Sequence, residues 1–96
     1  MGRDAIADRV TVIGDRTVLL REIPVQSPGS INIMFDRLET LAKDWERFSY
    51  VVDLTEAKRP GPDTRATLKA RVLRVRLRIA HVAIVVGNNL LMRAMA

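Results

Sequence analysis

The stretch Tyr50–Leu54, with the sequence YVVDL, predicts a β-strand that is covered on both faces of a sheet. A short, nearly continuous run of apolar residues is typical of a buried central strand. A second stretch, His81–Gly87, with the sequence HVAIVVG, has the same character. We therefore expect these two stretches to form the centre of the sheet.

The segment Asp63–Ile79 connects these two predicted strands. Its apolar residues recur at steps of three and four, which is the pattern of an amphipathic helix: Leu68, Val72, Val75 and Ile79, widened by Ala70, Leu73 and Leu77. A strand, helix, strand sequence of this length makes a right-handed crossover. The two strands should therefore be adjacent and parallel.

The first part of the chain predicts a β-hairpin followed by a helix. Alternating β-branched residues at Val10, Val12 and Thr17–Ile23 flank the turn dipeptide Gly14-Asp15. The prolines and glycine of Pro24–Gly29 then take the chain out of the sheet.

Ser30 is predicted to cap the first long helix by accepting a hydrogen bond from its first turn. From Ile31 onward, apolar residues recur at helical spacing as far as Phe48. We interpret Trp45 and Phe48 as part of the face that packs against the sheet.

The end of the chain predicts a last short helix. Asn88-Asn89 can cap it, and it would carry the large apolar residues Leu90, Leu91, Met92 and Met95. Barely two turns are marginal unless they pack, so either the natural chain continues past Ala96 or the helix docks on another surface. That surface is the sheet of the same domain or a second copy in a homodimer.

Together these elements predict an α/β fold: a mixed sheet of about four strands with helices packed on it, in the order hairpin-α-β-α-β-α. The length of 96 residues favours a single domain over residues 1–96. The charged residues of Met1–Arg9 do not match a signal peptide, and the run Val82–Val86 is far shorter than a membrane span. With no cysteine, the sequence favours a cytoplasmic protein.

The charge of the chain is uneven. Seven basic and ten acidic side chains precede Lys58, whereas nine basic side chains and one acidic side chain follow from Lys58 onward. Such asymmetry indicates a basic surface that could meet an acidic protein, nucleic acid or an anionic membrane, or a solvated helix face.

The residues that catalysis requires are scarce. His81 is the only histidine, and the glycines at Gly14, Gly29, Gly61 and Gly87 stand alone rather than in a phosphate-binding loop. We therefore predict no catalytic residue, no metal site and no cofactor.

One group of polar residues stands out at an expected functional edge. Asp53 ends the first central strand, and the loop after it leads to Asp63-Thr64 at the start of a helix. In α/β sheets the carboxyl ends of strands and the following helix starts form the usual functional rim. The alternative is that Asp63 only caps the helix and Asp53 only forms a turn.

This arrangement resembles the STAS domain, the fold shared by sulphate transporter tails and anti-sigma-factor antagonists, and is most similar to its sporulation-antagonist-like bacterial branch. The likeness rests on Val51–Thr55, on Asp63-Thr64 and on Val82–Val86 with Asn88–Leu91 beyond.

The resemblance implies a regulatory module that binds a protein partner, such as a kinase or an anti-sigma factor. It also implies phosphorylation at Thr64, the position that matches the serine of the family. We predict a partner-binding site at Asp53, Asp63, Thr64, Arg65 and Lys69. The sequence departs from the family in its longer loop with Pro60–Pro62, in its threonine and in Arg65.

Two other classes of function compete with this one. A nucleic-acid-binding protein is suggested by the basic residues of the predicted helix, although they surround it rather than form one stripe: Arg65, Lys69, Arg71, Arg74, Arg76 and Arg78. An enzyme using His81 or Asp53 is the third possibility.

Overall fold

The computed structural model describes residues 1–86 and 89–94. Its elements are, in chain order, α1 (Arg3–Ala7), β1 (Val10–Gly14), β2 (Thr17–Arg21), α2 (Pro28–Leu41), β3 (Phe48–Asp53), α3 (Pro62–Val75), a 3-10 turn (Arg76–Arg78), β4 (Ile79–Val86) and β5 (Asn89–Ala94). Among these residues no helix is long and apolar enough to cross a membrane.

The strands form one five-stranded mixed sheet in the order β1-β2-β3-β4-β5. β1 and β2 are the predicted antiparallel hairpin, and β2, β3 and β4 run parallel. Val51 lies beside Leu19 on one side and Ala83 on the other, which places β3 at the centre of the sheet. The predicted α/β class and the parallel crossover between β3 and β4 are confirmed.

Both long helices lie on the same face of the sheet. Right-handed crossovers from β2 to β3 and from β3 to β4 advance in one direction, so α2 and α3 are neighbours. The core between them and the sheet includes Leu20, Phe35, Leu38, Phe48 and Ile79. No helix covers the opposite face within the described part of the chain, so the prediction of strands covered on both faces is wrong.

The start of α2 differs from the prediction by three residues. Ser27, not Ser30, is the N-cap. The Ser27 hydroxyl accepts a hydrogen bond from the Ser30 amide at 3.1 Å, and the Ser30 hydroxyl accepts one from the Ser27 amide at 2.9 Å. Pro28 fits the first turn because it has no amide hydrogen to satisfy there. Ser27 and Ser30 therefore cap the helix together, whereas the sequence predicted Ser30 alone as the cap.

α2 also ends earlier than its apolar spacing predicts. It stops at Leu41, and Trp45 lies beyond it, packed against the core. Arg78 donates hydrogen bonds to the carbonyl oxygens of Ala42 and Trp45. Because these carbonyls find a cationic donor, the chain can leave the helix without burying unpaired acceptors.

The predicted last helix is wrong. Asn89–Ala94 forms β5, which pairs antiparallel with β4. Val86 lies opposite Asn89 at one end of the pairing, and His81 lies opposite Ala94 at the other. Without it, β4 would be the unpaired edge of the sheet, so backbone pairing outweighs the helical preference of a short apolar segment. Asn88, the predicted cap, and Met95 lie outside the described residues. The helix-mediated docking that we expected therefore loses its basis.

Arg71 joins α3 to α2 through a set of hydrogen bonds. It is 8% exposed, and its guanidinium donates to Asn32 Oδ1 at 3.0 Å, Asp36 Oδ1 at 2.9 Å and Glu39 Oε2 at 2.6 Å. It also lies over the Phe35 ring, 5.7 Å from the ring centre. Burial opposes its charge, but the hydrogen bonds and charges of Glu39 and Asp36 raise the pKa of Arg71.

Replacing Arg71 by methionine should lower the free energy of unfolding by about 2 to 3 kcal/mol, because the acceptors on α2 lose a shared cationic donor. Urea denaturation measures this change. Arg76→Met alters an exposed arginine just after the same helix and should stay within about 0.5 kcal/mol of the wild type. Equal effects of the two substitutions would contradict a special role for Arg71.

Candidate functional site

Asp53 lies where predicted, at the carboxyl end of the central strand β3. Its Oδ1 accepts a hydrogen bond from the Thr55 amide at 2.9 Å, and hydrogen bonding by Thr55 lowers the pKa of Asp53. Asp53 lines a small polar pocket with Arg21, Thr55 and the ion pair of Arg9 with Glu56. The Asp53 carboxylate is thus a charged, turn-forming group at the rim.

The start of α3 places Asp63 and Arg65 in solvent but buries Thr64. Gly61 is the N-cap, so Asp63 lies in the first turn and does not cap the helix with its side chain. Thr64 is 5% exposed. The resemblance implies phosphorylation at Thr64, but a kinase needs access to the hydroxyl, so this burial counts against it.

The predicted site residues are therefore only partly brought together. Arg65 and Lys69 lie one turn apart on the solvent side of α3. No hydrogen bond or ion pair links Asp53 to Asp63 or Thr64 among the described contacts. Asp53 instead belongs to the pocket near Arg9 and Arg21.

The solvent side of α3 continues into an apolar surface that the sequence interpretation assigned to the core. Leu73 is 52% exposed and Leu77, in the 3-10 turn, is 81% exposed. They follow Arg65 and Lys69 at four-residue steps, and the exposed Arg76 adjoins them. We call Arg65, Lys69, Leu73, Arg76 and Leu77 the outer stripe of α3.

Three other basic residues of this region serve the fold. Arg71 and Arg74 bind Glu39, with an Arg74 to Oε1 distance of 3.1 Å. Arg78 binds the end of α2 and lies over the Phe48 ring, 5.3 Å from its centre. Among the described contacts, Arg65, Lys69 and Arg76 on the outer stripe have no acidic partner, whereas Arg74 is exposed but paired with Glu39.

His81 lies in β4 with an exposed side chain, and its Nδ1 is 3.4 Å from the Ser49 hydroxyl. The hydrogen bonds of the described residues give the imidazole no carboxylate partner that would orient it for proton transfer. His81 begins a stretch that was predicted to be buried, but it is exposed on the face of the sheet that no helix covers in the described part of the chain.

A cavity of about 360 Å³ lies beneath α3, a feature that the sequence did not predict. The sheet contributes Tyr50, Val52 and Ile84 to its walls, and α3 contributes Leu68 and Val72. The loop before α3 adds Lys58, Arg59 and Pro60. Most of the wall is apolar, which is typical of ligand sites.

Glu22 is the acidic residue of this cavity wall, and it separates the cavity from the polar pocket at Asp53. It is 3% exposed, and none of the residues that the structure describes forms a hydrogen bond with its buried Oε2. Burial raises the pKa of Glu22 to about 7, against the opposing charge of Arg9. A carboxyl that changes its charge near neutral pH, next to an apolar cavity, can bind a polar group of a ligand.

Sequence alternation contained a signal for Glu22. Val18 and Leu20 are buried on the helix-covered face of β2, and Glu22 continues the same two-residue period. A carboxyl that falls on the buried face just beyond a strand is a candidate for a functional group.

The pH dependence of stability should reveal Glu22. Between its usual pKa of 4.5 and about 7, the folded protein holds a proton that the unfolded chain releases. The free energy of unfolding should therefore fall as the pH rises through this window, by about 3 kcal/mol. Glu22→Gln removes this loss, so the stability of the variant relative to the wild type should rise from pH 5 to pH 8 in urea denaturation.

The substitution isolates Glu22 because it leaves the neighbouring charged groups in place, namely Arg9, Arg21, Asp53, Glu56, Lys58 and Arg59. If the two proteins change in stability equally between pH 5 and pH 8, the shifted titration of Glu22 is refuted.

Comparison of the chain with models of protein families, with curated proteins and with solved structures finds no match. The resemblance to the STAS domain therefore stays a prediction that rests on the residues quoted for it.

Proposed function

We propose that this chain is a non-enzymatic regulatory module that binds an acidic protein partner through the outer stripe of α3. The observation that carries the proposal is the exposure of Leu73 and Leu77, at 52% and 81%, among basic side chains. Apolar anchors within a polar surface are typical of protein interfaces. The STAS-like regulatory role is part of this proposal.

The energetics of the stripe favour a protein surface as the occupant. Complete burial of a leucine side chain contributes about 1.5 to 3 kcal/mol, so two of them can anchor a complex. Arg65, Lys69 and Arg76 add attraction toward acidic groups, which mainly increases the association rate and the specificity. The partner therefore needs an apolar recess bordered by carboxylates.

The acidic residues of the predicted site have secondary roles in this proposal. Asp63 lies in the first turn of α3, where its negative charge interacts favourably with the helix dipole. It would repel an acidic partner at this end and so restrict the orientation of docking. Asp53 belongs to the polar pocket and is outside the proposed contact.

Nucleic-acid binding is the weaker alternative. Arg71 and Arg78 are engaged within the fold, and the exposed Arg74 is paired with Glu39. The aromatic side chains Phe35, Phe48 and Tyr50 are buried, which leaves none of the three to stack on bases.

A photo-crosslinking amino acid at Leu77 should capture a partner that can then be identified and purified. Binding of that purified protein should weaken at least tenfold for Leu77→Ser, because an anchor is lost. Lys69→Glu should also weaken it and should reduce the salt dependence of the affinity. Calorimetric titration gives both values.

Two matched substitutions serve as controls. Ile13→Ser changes an apolar residue of the hairpin that is 52% exposed. Arg37→Glu reverses an exposed charge on α2. The proposal fails if the controls weaken binding as much as the stripe substitutions, or if the stripe substitutions have no effect. If the chain binds phosphatidylserine vesicles or duplex DNA instead of the captured protein, a role in binding an anionic membrane or nucleic acid replaces the proposed one.

A further inference from the structure

We propose that the cavity beneath α3 binds an uncharged, mostly apolar molecule whose hydroxyl group forms a hydrogen bond with the Glu22 carboxyl. This site is separate from the outer stripe and does not depend on the proposed function. It uses the opposite side of α3, where Leu68 and Val72 face the sheet across the cavity.

The size and walls of the cavity determine the apolar part of the ligand. A volume of about 360 Å³ is within the range of small-molecule sites, which is roughly 300 to 1,000 Å³. The Tyr50 ring, Val52 and Ile84 form a mostly apolar floor from two neighbouring strands. A saturated chain of about ten carbons matches such a surface, and contact with it would remove both from water.

Glu22 determines the polar part. Its side chain is buried and its Oε2 accepts no hydrogen bond among the described residues. A buried acceptor without a partner is costly, and a rotation of the Glu22 side chain that brings its carboxyl to the cavity surface would let a ligand donor relieve that cost. Because burial raises the pKa of Glu22 to about 7, both forms of the carboxyl occur near neutral pH. A hydroxyl group suits both, since it can donate to the carboxylate and accept from the acid.

Charges at the loop argue against a cationic ligand. Lys58 and Arg59 contribute to the cavity wall and are themselves exposed. They would repel a protonated amine that entered past them, whereas an uncharged alcohol avoids both that repulsion and the desolvation of an ion. A fatty acid is the main competitor, because its carboxylate could pair with these two residues at the loop.

Calorimetric titration of the full chain with 1-hexanol, 1-octanol and 1-decanol tests the proposal. Affinity should increase about fourfold for each added methylene group, the increase that burial of a methylene predicts. Decanol should bind more tightly than decylamine or decanoate at the same submicellar concentration. Methyl shifts of Val52, Leu68 and Ile84 in NMR spectra should locate the bound alcohol.

Substitutions distinguish the contribution of the apolar cavity to binding from that of the Glu22 carboxyl. Leu68→Trp fills the cavity and should abolish decanol binding, whereas Leu73→Trp on the exposed side of α3 should leave it unchanged. Glu22→Met should weaken decanol about tenfold, and Glu22→Gln, which keeps an acceptor, should weaken it less. The Gln variant also controls for a folding defect in the Met variant.

Three results would overturn the proposal. One is the absence of binding by every alcohol up to its solubility limit, and another is binding that Leu68→Trp does not reduce. The third is that decanoate binds most tightly, and that Lys58→Ala and Arg59→Ala weaken its binding whereas Glu22→Met does not. That last result would assign the cavity to a fatty acid held at the loop.

Discussion

The contact of Arg71 with α2 is the interaction on which the arrangement of the helices depends. Among the residues of α3, only Thr64, Arg71 and Val75 are fully buried. Apolar packing alone would hold such a helix weakly and without a fixed position. A guanidinium that meets Asn32, Asp36 and Glu39 instead imposes direction and distance, because hydrogen bonds tolerate little displacement. α3 is therefore positioned by α2 more than by the sheet.

This mode of attachment explains why α3 has apolar residues on both sides. A helix that settled fully onto the sheet would bury Leu68 and Val72, but both remain half-buried at the wall of a cavity. On the other side, Leu73 and Leu77 project into solvent. The wide apolar stripe in the sequence thus contains two separate surfaces, one that faces the cavity and the sheet and one that faces solvent. Only the first belongs to the core.

Local patterns were sufficient to predict the hairpin, the helices at α2 and α3 and the parallel pairing of β3 with β4. They failed where distant contacts decide the outcome. The segment at 89–94 has no clear two-residue alternation, and only the unpaired edge of β4 makes it a strand. Thr64 lies four residues before Leu68 and so continues the buried stripe of α3, a signal that its assignment as a phosphorylation site overlooked. The cavity depends on the distance between α3 and the sheet, which no residue pattern encodes.

Arginine content was a poor measure of binding surface, whereas a single buried glutamate carries the proposal for the cavity. The basic surplus after Lys58 suggested a binding face, yet Arg71, Arg74 and Arg78 are used to position α2. Glu22 differs from them because Arg9, whose charge acts on it, forms its ion pair with Glu56, and no described residue forms a hydrogen bond with the buried Glu22 Oε2. A glutamine or an apolar residue at this position would spare the fold the desolvation of a carboxyl. A group that the fold carries at a cost to its stability is typical of a site under functional constraint.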